Sequence, residues 1–135
     1  MLRWLFGFAI AAIGASTAAN LLMLIISSGQ SAIFYNQSVL QRIAAGILVL
    51  TPVIALIGGP LSLIVHKLTP PDVGLLRYVA FGGLVDAFTT LIFLALLAAG
   101  QVQVRPVLMI GATAGIAWAF LWWRIVRAKE FYLNA

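Results

Sequence analysis

Residues 69–100 read TPPDVGLLRYVAFGGLVDAFTTLIFLALLAAG. From Tyr78 to Ala99 this stretch has 22 residues and a single charge, Asp86. An α-helix needs about 20 predominantly apolar residues to cross the hydrocarbon core of a bilayer. The turn before the run carries start signals. Thr69 suits an N-cap, Pro70 the first helical position and Asp72 the acid of a capping box, so a helix is predicted from about residue 70. Gly100 is its expected stop. About two helical turns then precede the apolar span, with Arg77 at the membrane surface.

The same pattern recurs on either side, giving spans at about 4–26, 43–65, 78–99 and 107–126. The first begins like a signal peptide, with Met1-Leu2-Arg3 and a small-residue site at Ser16-Thr17-Ala18. The apolar run resumes at Leu21 to Ile26, so a retained helix is expected. The polar stretch from Ser27 to Arg42 contains Gly29, Gln30, Asn36, Gln37 and Gln41. Its apolar members Ile33, Phe34 and Tyr35 suit a segment lying at the interface. Pro52 and Gly58-Gly59-Pro60 interrupt the second span, which predicts a kinked or locally unwound helix. A short connection, Gln101 to Arg105, leads to Pro106, which should open the fourth helix. Short connections make helices two, three and four consecutive antiparallel neighbours. The expected fold is all-α: one integral membrane domain over residues 1–135, a four-helix bundle.

Composition agrees. The chain is 64% hydrophobic and 8% charged, whereas soluble domains are about 45–50% apolar and about 25% charged. Such a surface must face lipid. The net charge of +5 comes from eight Lys and Arg scattered at the ends of apolar runs. That distribution suits topogenic charge and anionic lipid, and no nucleic-acid partner is expected. With four spans, Arg3, Lys67, Arg77, Arg124, Arg127 and Lys129 share one side, against Arg42 and Arg105 on the other. The basic side is the cytoplasmic one, so both ends are expected to be cytoplasmic, in a bacterial inner membrane. Trp4, Trp122 and Trp123 fall at that interface, with Trp118 about one turn deeper. No cysteine is present, so disulfide, thiolate-metal and thiol chemistry are excluded.

Helices in lipid associate where small residues let backbones approach. Gly7, Ala11, Ala15 and Ala19 form one such line on the first helix, and Gly111, Gly115 and Ala119 another on the fourth. The second offers Ala55 with Gly59, and Gly58 with Ser62. These lines serve packing inside the bundle or contact with another protein. Their number exceeds what one small bundle needs, which points some of them outward.

Asp86 is the one acid within a span. At a helix centre it costs about 2.5–3.5 kcal/mol on insertion scales, so it should face inward and be paired. No Lys, Arg or His lies at matching depth, and burial without a counter-charge favours the protonated acid. Thr90 follows one turn along the same face. Asn20, Ser16 and Thr17 of the first helix, Thr51 of the second and Thr113 of the fourth are expected at similar depths. Asp86, Thr90, Asn20 and Thr51 are therefore the candidate intramembrane polar site. Asp86 would couple a proton or cation, pair with another subunit, or fix helix packing.

His66 is the only histidine, which excludes bis-histidine haem ligation within the chain and leaves zinc unsupported. Beside Lys67 it reads as a solvated interfacial residue. No cofactor is expected, although His66 leaves open a pigment or haem shared with a partner. Arg124, Arg127 and Lys129 read as a lipid-facing basic anchor. No Ser/His/Asp or Cys/His triad, phosphate loop or carboxylate pair is present, so the chain is not expected to be an enzyme.

Small multidrug exporters are homodimers of four-helix subunits with one membrane acid on the first helix, and here the acid is on the third. Arg77 to Leu84, RYVAFGGL, resembles the opening of a small four-helix family linked to glycan lipid carriers, where it belongs to the first helix. Neither pattern assigns this chain. The expected role is a small non-catalytic subunit or accessory protein of a larger membrane assembly, with other membrane subunits as partners. The alternative is a homodimeric proton- or cation-coupled transporter or channel using Asp86, with Pro52 and Gly58-Gly59 as its gate. A small membrane immunity or regulatory factor is the third.

Overall fold

The computed structural model describes residues 2–27, 38–70, 72–97 and 103–127. They form α1 (Leu2–Ser27), α2 (Val39–Leu68), α3 (Leu75–Leu97) and α4 (Val104–Trp122), which continues into a π-helical turn, Trp123–Arg127. The described residues contain no strand. All four helices are long and apolar enough to cross a membrane.

Helix α2 starts inside the stretch that reads as polar and interfacial. The reason is a capping box: the Ser38 hydroxyl accepts from the Gln41 amide at 3.3 Å, and the Gln41 side chain accepts from the Ser38 amide at 3.0 Å. Two otherwise unmatched donors are satisfied reciprocally. The rest of that segment, from Gly29 through Ile33, Phe34 and Tyr35 to Gln37, lies outside the described residues. Pro52 and Pro60 both sit inside α2, which stays helical through them rather than unwinding. Near the second, the Ser62 hydroxyl donates to the Gly59 carbonyl at 2.7 Å.

Thr69 caps α2 rather than starting α3. Its backbone is extended, at φ −92° and ψ 123°, and its amide donates to the Val65 carbonyl at 3.0 Å. Its hydroxyl donates to the same oxygen. A residue followed by proline is biased out of the helical region, which disfavours Pro70 as a first helical residue, and the first bond of α3 runs from the Tyr78 amide to the Gly74 carbonyl at 3.1 Å. α3 accordingly begins at Leu75, about five residues later than the capping signals predict. Gly100, its expected stop, lies outside the described residues. α4 begins at Val104, with Pro106 in its first turn where a missing N–H costs little.

Helix α3 packs most closely on α4, α4 on α1, and α1 on α2, while α2 and α3 barely touch. Small residues explain this order. On α3 and α4, Gly82 meets Ala119, Asp86 meets Gly115 and Thr90 meets Gly111, three successive antiparallel layers. On α2, Gly46 lies against Asn20 of α1, Gly59 against Phe8, and Gly58 against Trp118 of α4. The close-approach sites of α2 thus face α1 and α4, which leaves the α2–α3 seam slack despite the short turn joining those helices. Leu84, Phe88, Ile92 and Leu96 run along the outside of α3, all exposed. That is the surface a lipid-facing helix presents.

Candidate functional site: a lateral cleft at Asp86

Asp86 owes its place to a glycine. A Cβ on Gly115 would lie 2.5 Å from the Asp86 Cβ, 2.7 Å from the Gly82 carbonyl oxygen and 3.1 Å from the Gly83 Cα. Only a residue without a side chain lets α4 approach α3 this closely at the layer of the acid. Asp86 then lines a cleft in the α2–α3 seam. Ile54, Gly58, Leu61 and Ser62 of α2 form one wall, and Gly82 and Val85 of α3 the other. Gly115 and Trp118 of α4 form its floor. The free volume is about 30 Å³, room for about two water molecules.

The polar groups of the cleft are unevenly satisfied. The Ser62 hydroxyl proton is committed to Gly59. The Trp118 indole Nε1 is buried without an acceptor. Asp86 has no hydrogen-bond partner among the described residues, and no Lys, Arg or His lines the cleft. A lone carboxyl in an apolar cleft can hold a proton, a small cation, or one donor from outside the chain. It cannot supply the paired acid and base that hydrolysis needs. Among the described residues no three His, Cys, Asp or Glu cluster as metal ligands would.

The four residues expected to form one polar site divide into two places. Thr90 sits one turn from Asp86, its Cβ and Oγ1 2.9 Å from where a Gly111 Cβ would be, against α4 and away from the cleft lining. Asn20 and Thr51 belong to the α1–α2 seam. The Ser16 and Thr51 hydroxyls are 2.7 Å apart, and Asn20 donates to the Ile43 carbonyl at 3.0 Å. Thr17 and Thr113 donate to carbonyls of their own helices, Ile13 at 2.8 Å and Met109 at 2.7 Å. Along α2, Asn20 meets Ile43 and Gly46 whereas Asp86 faces Ile54 and Gly58, so the two seams differ in height as well as in rotation about the helix axes.

The lines of small residues turn inward. Ala11 and Ala15 are fully buried, and a Cβ on Gly7 would meet the Val126 side chain at 2.7 Å. Gly111, Gly115 and Ala119 are all occupied by α3.

Of the expected basic anchor, Arg124 is exposed and Lys129 lies outside the described residues. Arg127 differs from expectation: it is 5% exposed and not lipid-facing. Its guanidinium donates to the carbonyls of Thr69 at 2.8 Å, Pro70, and His66 at 3.4 Å, and lies 4.7 Å from the centre of the Tyr78 ring. The last carbonyls of a helix lack partners and carry partial negative charge, so a buried arginine is well matched to them. The wider π-helical turn carries it inward, together with the fully buried Val126. Arg3 does the same for α4, donating to the carbonyls of Ile125 at 3.0 Å and Val126. His66, expected in solvent, is half-buried, its ring 5.3 Å from Trp4 and 6.3 Å from Trp122 in edge-on contacts.

Compared with known proteins, the chain matches no protein-family model, no curated protein and no solved structure.

Proposed function

We propose that the protein is a small non-catalytic subunit or accessory protein of a larger membrane assembly, and that it engages a neighbour at Asp86. One observation carries this reading: Asp86 lines a cleft at the slack α2–α3 seam and has no partner among the described residues. A carboxyl at that depth costs about 2.5–3.5 kcal/mol, and a donor from another subunit would offset that cost. The small-residue lines lend no support, because α1 and α4 use theirs within the bundle. In this reading the protein sits in a bacterial inner membrane with the Arg3 and Arg127 ends of α1 and α4 in the cytoplasm. Arg3, Lys67, Arg77 and Arg124 at that end support the orientation. It brings no cofactor of its own and acts on no substrate.

A second reading, a homodimeric proton- or cation-coupled transporter, is favoured by the same seam. There α2 contributes Gly58 to the cleft and carries Pro52 and Pro60 along its length. Extraction from the native membrane in mild detergent, followed by mass and composition of the particle, separates the two. Larger, different subunits should co-migrate with the chain, and Asp86→Asn should lower their recovery. A lone particle of about twice 14.5 kDa, with a cation flux that Asp86→Asn abolishes, would overturn the subunit reading.

A further inference from the structure

We infer that the α2–α3 cleft receives the primary ammonium of a lysine on a transmembrane helix of a partner protein. This rests on the subunit reading and names the chemistry of the contact. Charge sets the class of occupant: the cleft holds one carboxyl, and none of its lining residues is basic. Arg127 and Arg3 are committed to helix-end carbonyls, so neither supplies the missing cation.

Size narrows the class further. About 30 Å³ of free volume admits a group about as large as one or two waters. An ammonium is that compact, whereas guanidinium is a broad planar fork. The compact lysine head is therefore the closer match to that space. The walls suit the rest of the side chain, because Ile54, Leu61 and Val85 offer apolar surface along which its methylenes can lie. Trp118, also in the lining, offers a ring to which a cation is attracted. The cleft is walled by two helices long and apolar enough to cross a membrane, α2 and α3, which suits an occupant carried on a neighbouring membrane helix.

The test uses the full chain in phosphatidylcholine vesicles with synthetic transmembrane peptides of about 21 Leu and Ala residues. Each peptide carries one central Lys, Arg or Leu and a fluorescent acceptor, and association is read as energy transfer from the protein tryptophans. The Lys peptide should bind about tenfold more tightly than the Leu peptide, with Arg close to Leu. Asp86→Asn should remove the preference. So should Gly58→Leu, which fills the cleft while leaving the acid in place, and a Thr51→Val variant should keep it. Equal binding of Lys and Leu peptides, or a lysine preference that survives Asp86→Asn, overturns the inference. Equal binding of Arg and Lys overturns the size selection. Failure here with larger subunits still co-extracted from native membrane removes the lysine and leaves the subunit reading intact. A lone homodimer in that extract removes the subunit reading itself.

Discussion

Gly115→Ala puts one methyl group where the bundle has no room for it. The new carbon would sit 2.5 Å from the Asp86 Cβ and 2.7 Å from the Gly82 carbonyl oxygen. Neither atom is the end of a flexible side chain, so α3 and α4 must separate along the layers that pair Gly82, Asp86 and Thr90 with Ala119, Gly115 and Gly111. Overpacking of this kind costs about 1–3 kcal/mol, and contact with backbone on the far side puts Gly115→Ala at about 2–3 kcal/mol. That corresponds to a fall of about 30- to 160-fold in the folding equilibrium. Gly58→Ala is the matched control, because its added carbon meets Trp118 at 3.6 Å, an ordinary contact. It should stay within about 0.5 kcal/mol of the parent chain. Removing the Asp86 side chain in the Gly115→Ala background (Asp86→Gly) should recover only part of the loss, since the Gly82 carbonyl remains in the way. The assay is equilibrium unfolding in mixed micelles of mild detergent and dodecyl sulfate, followed by circular dichroism. Gly115→Ala unfolding at the parent midpoint while Gly58→Ala unfolds earlier would refute the α3–α4 register.

Two further perturbations probe the rest of the bundle in the same assay. Arg127→Gln removes the buried guanidinium from three carbonyls and from the Tyr78 ring, and should cost about 2–4 kcal/mol. Arg127→Lys should recover only part of this, because one ammonium cannot reproduce the fork, and full recovery would show that charge alone matters. Ser16→Ala and Thr51→Val, taken singly and together, should give a coupling energy of about 0.6 kcal/mol, as usual for hydrogen bonds between membrane helices. Simple additivity of the two losses would show that the 2.7 Å contact is not an effective bond.

The four helices were legible because length and hydropathy are local properties that packing does not alter. Their ends were less so, for reasons particular to each. Ser38 and Gln41 have the spacing of a capping box, yet they lie in a polar stretch whose composition describes an interface equally well. Thr69 can cap a helix on either side of it, and residue spacing alone does not say that it closes α2. Asp86 stood out from the sequence as the lone acid in a span. Its cleft did not, since that depends on α2 spending Gly46, Gly58 and Gly59 on α1 and α4. Residue spacing marks a close-approach face without naming the helix that fills it. Arg127 illustrates the same limit at a helix end: an arginine after Trp122-Trp123 reads as an anchor, and only the π-helical turn directs it inward. No local signature in WRIVR announces that turn.

A single guanidinium ties three helices together at one end of the bundle. Arg127, carried by the turn after α4, holds the final carbonyls of α2 and lies against Tyr78 near the start of α3. Mechanically it is a pivot pin, and α2 is the lever arm that leaves it. Gly58 lies about 16 Å from the pin along the helix, and the far end of α2 about 45 Å. A tilt of about 5° would therefore widen the gap beside Asp86 by about 1.4 Å and displace the far end by about 4 Å. Along that lever the contacts of α2 with α1, Ser16 with Thr51 and Asn20 with the Ile43 carbonyl, oppose the tilt, so access to the carboxyl depends on the arginine pin and on the α1 seam together.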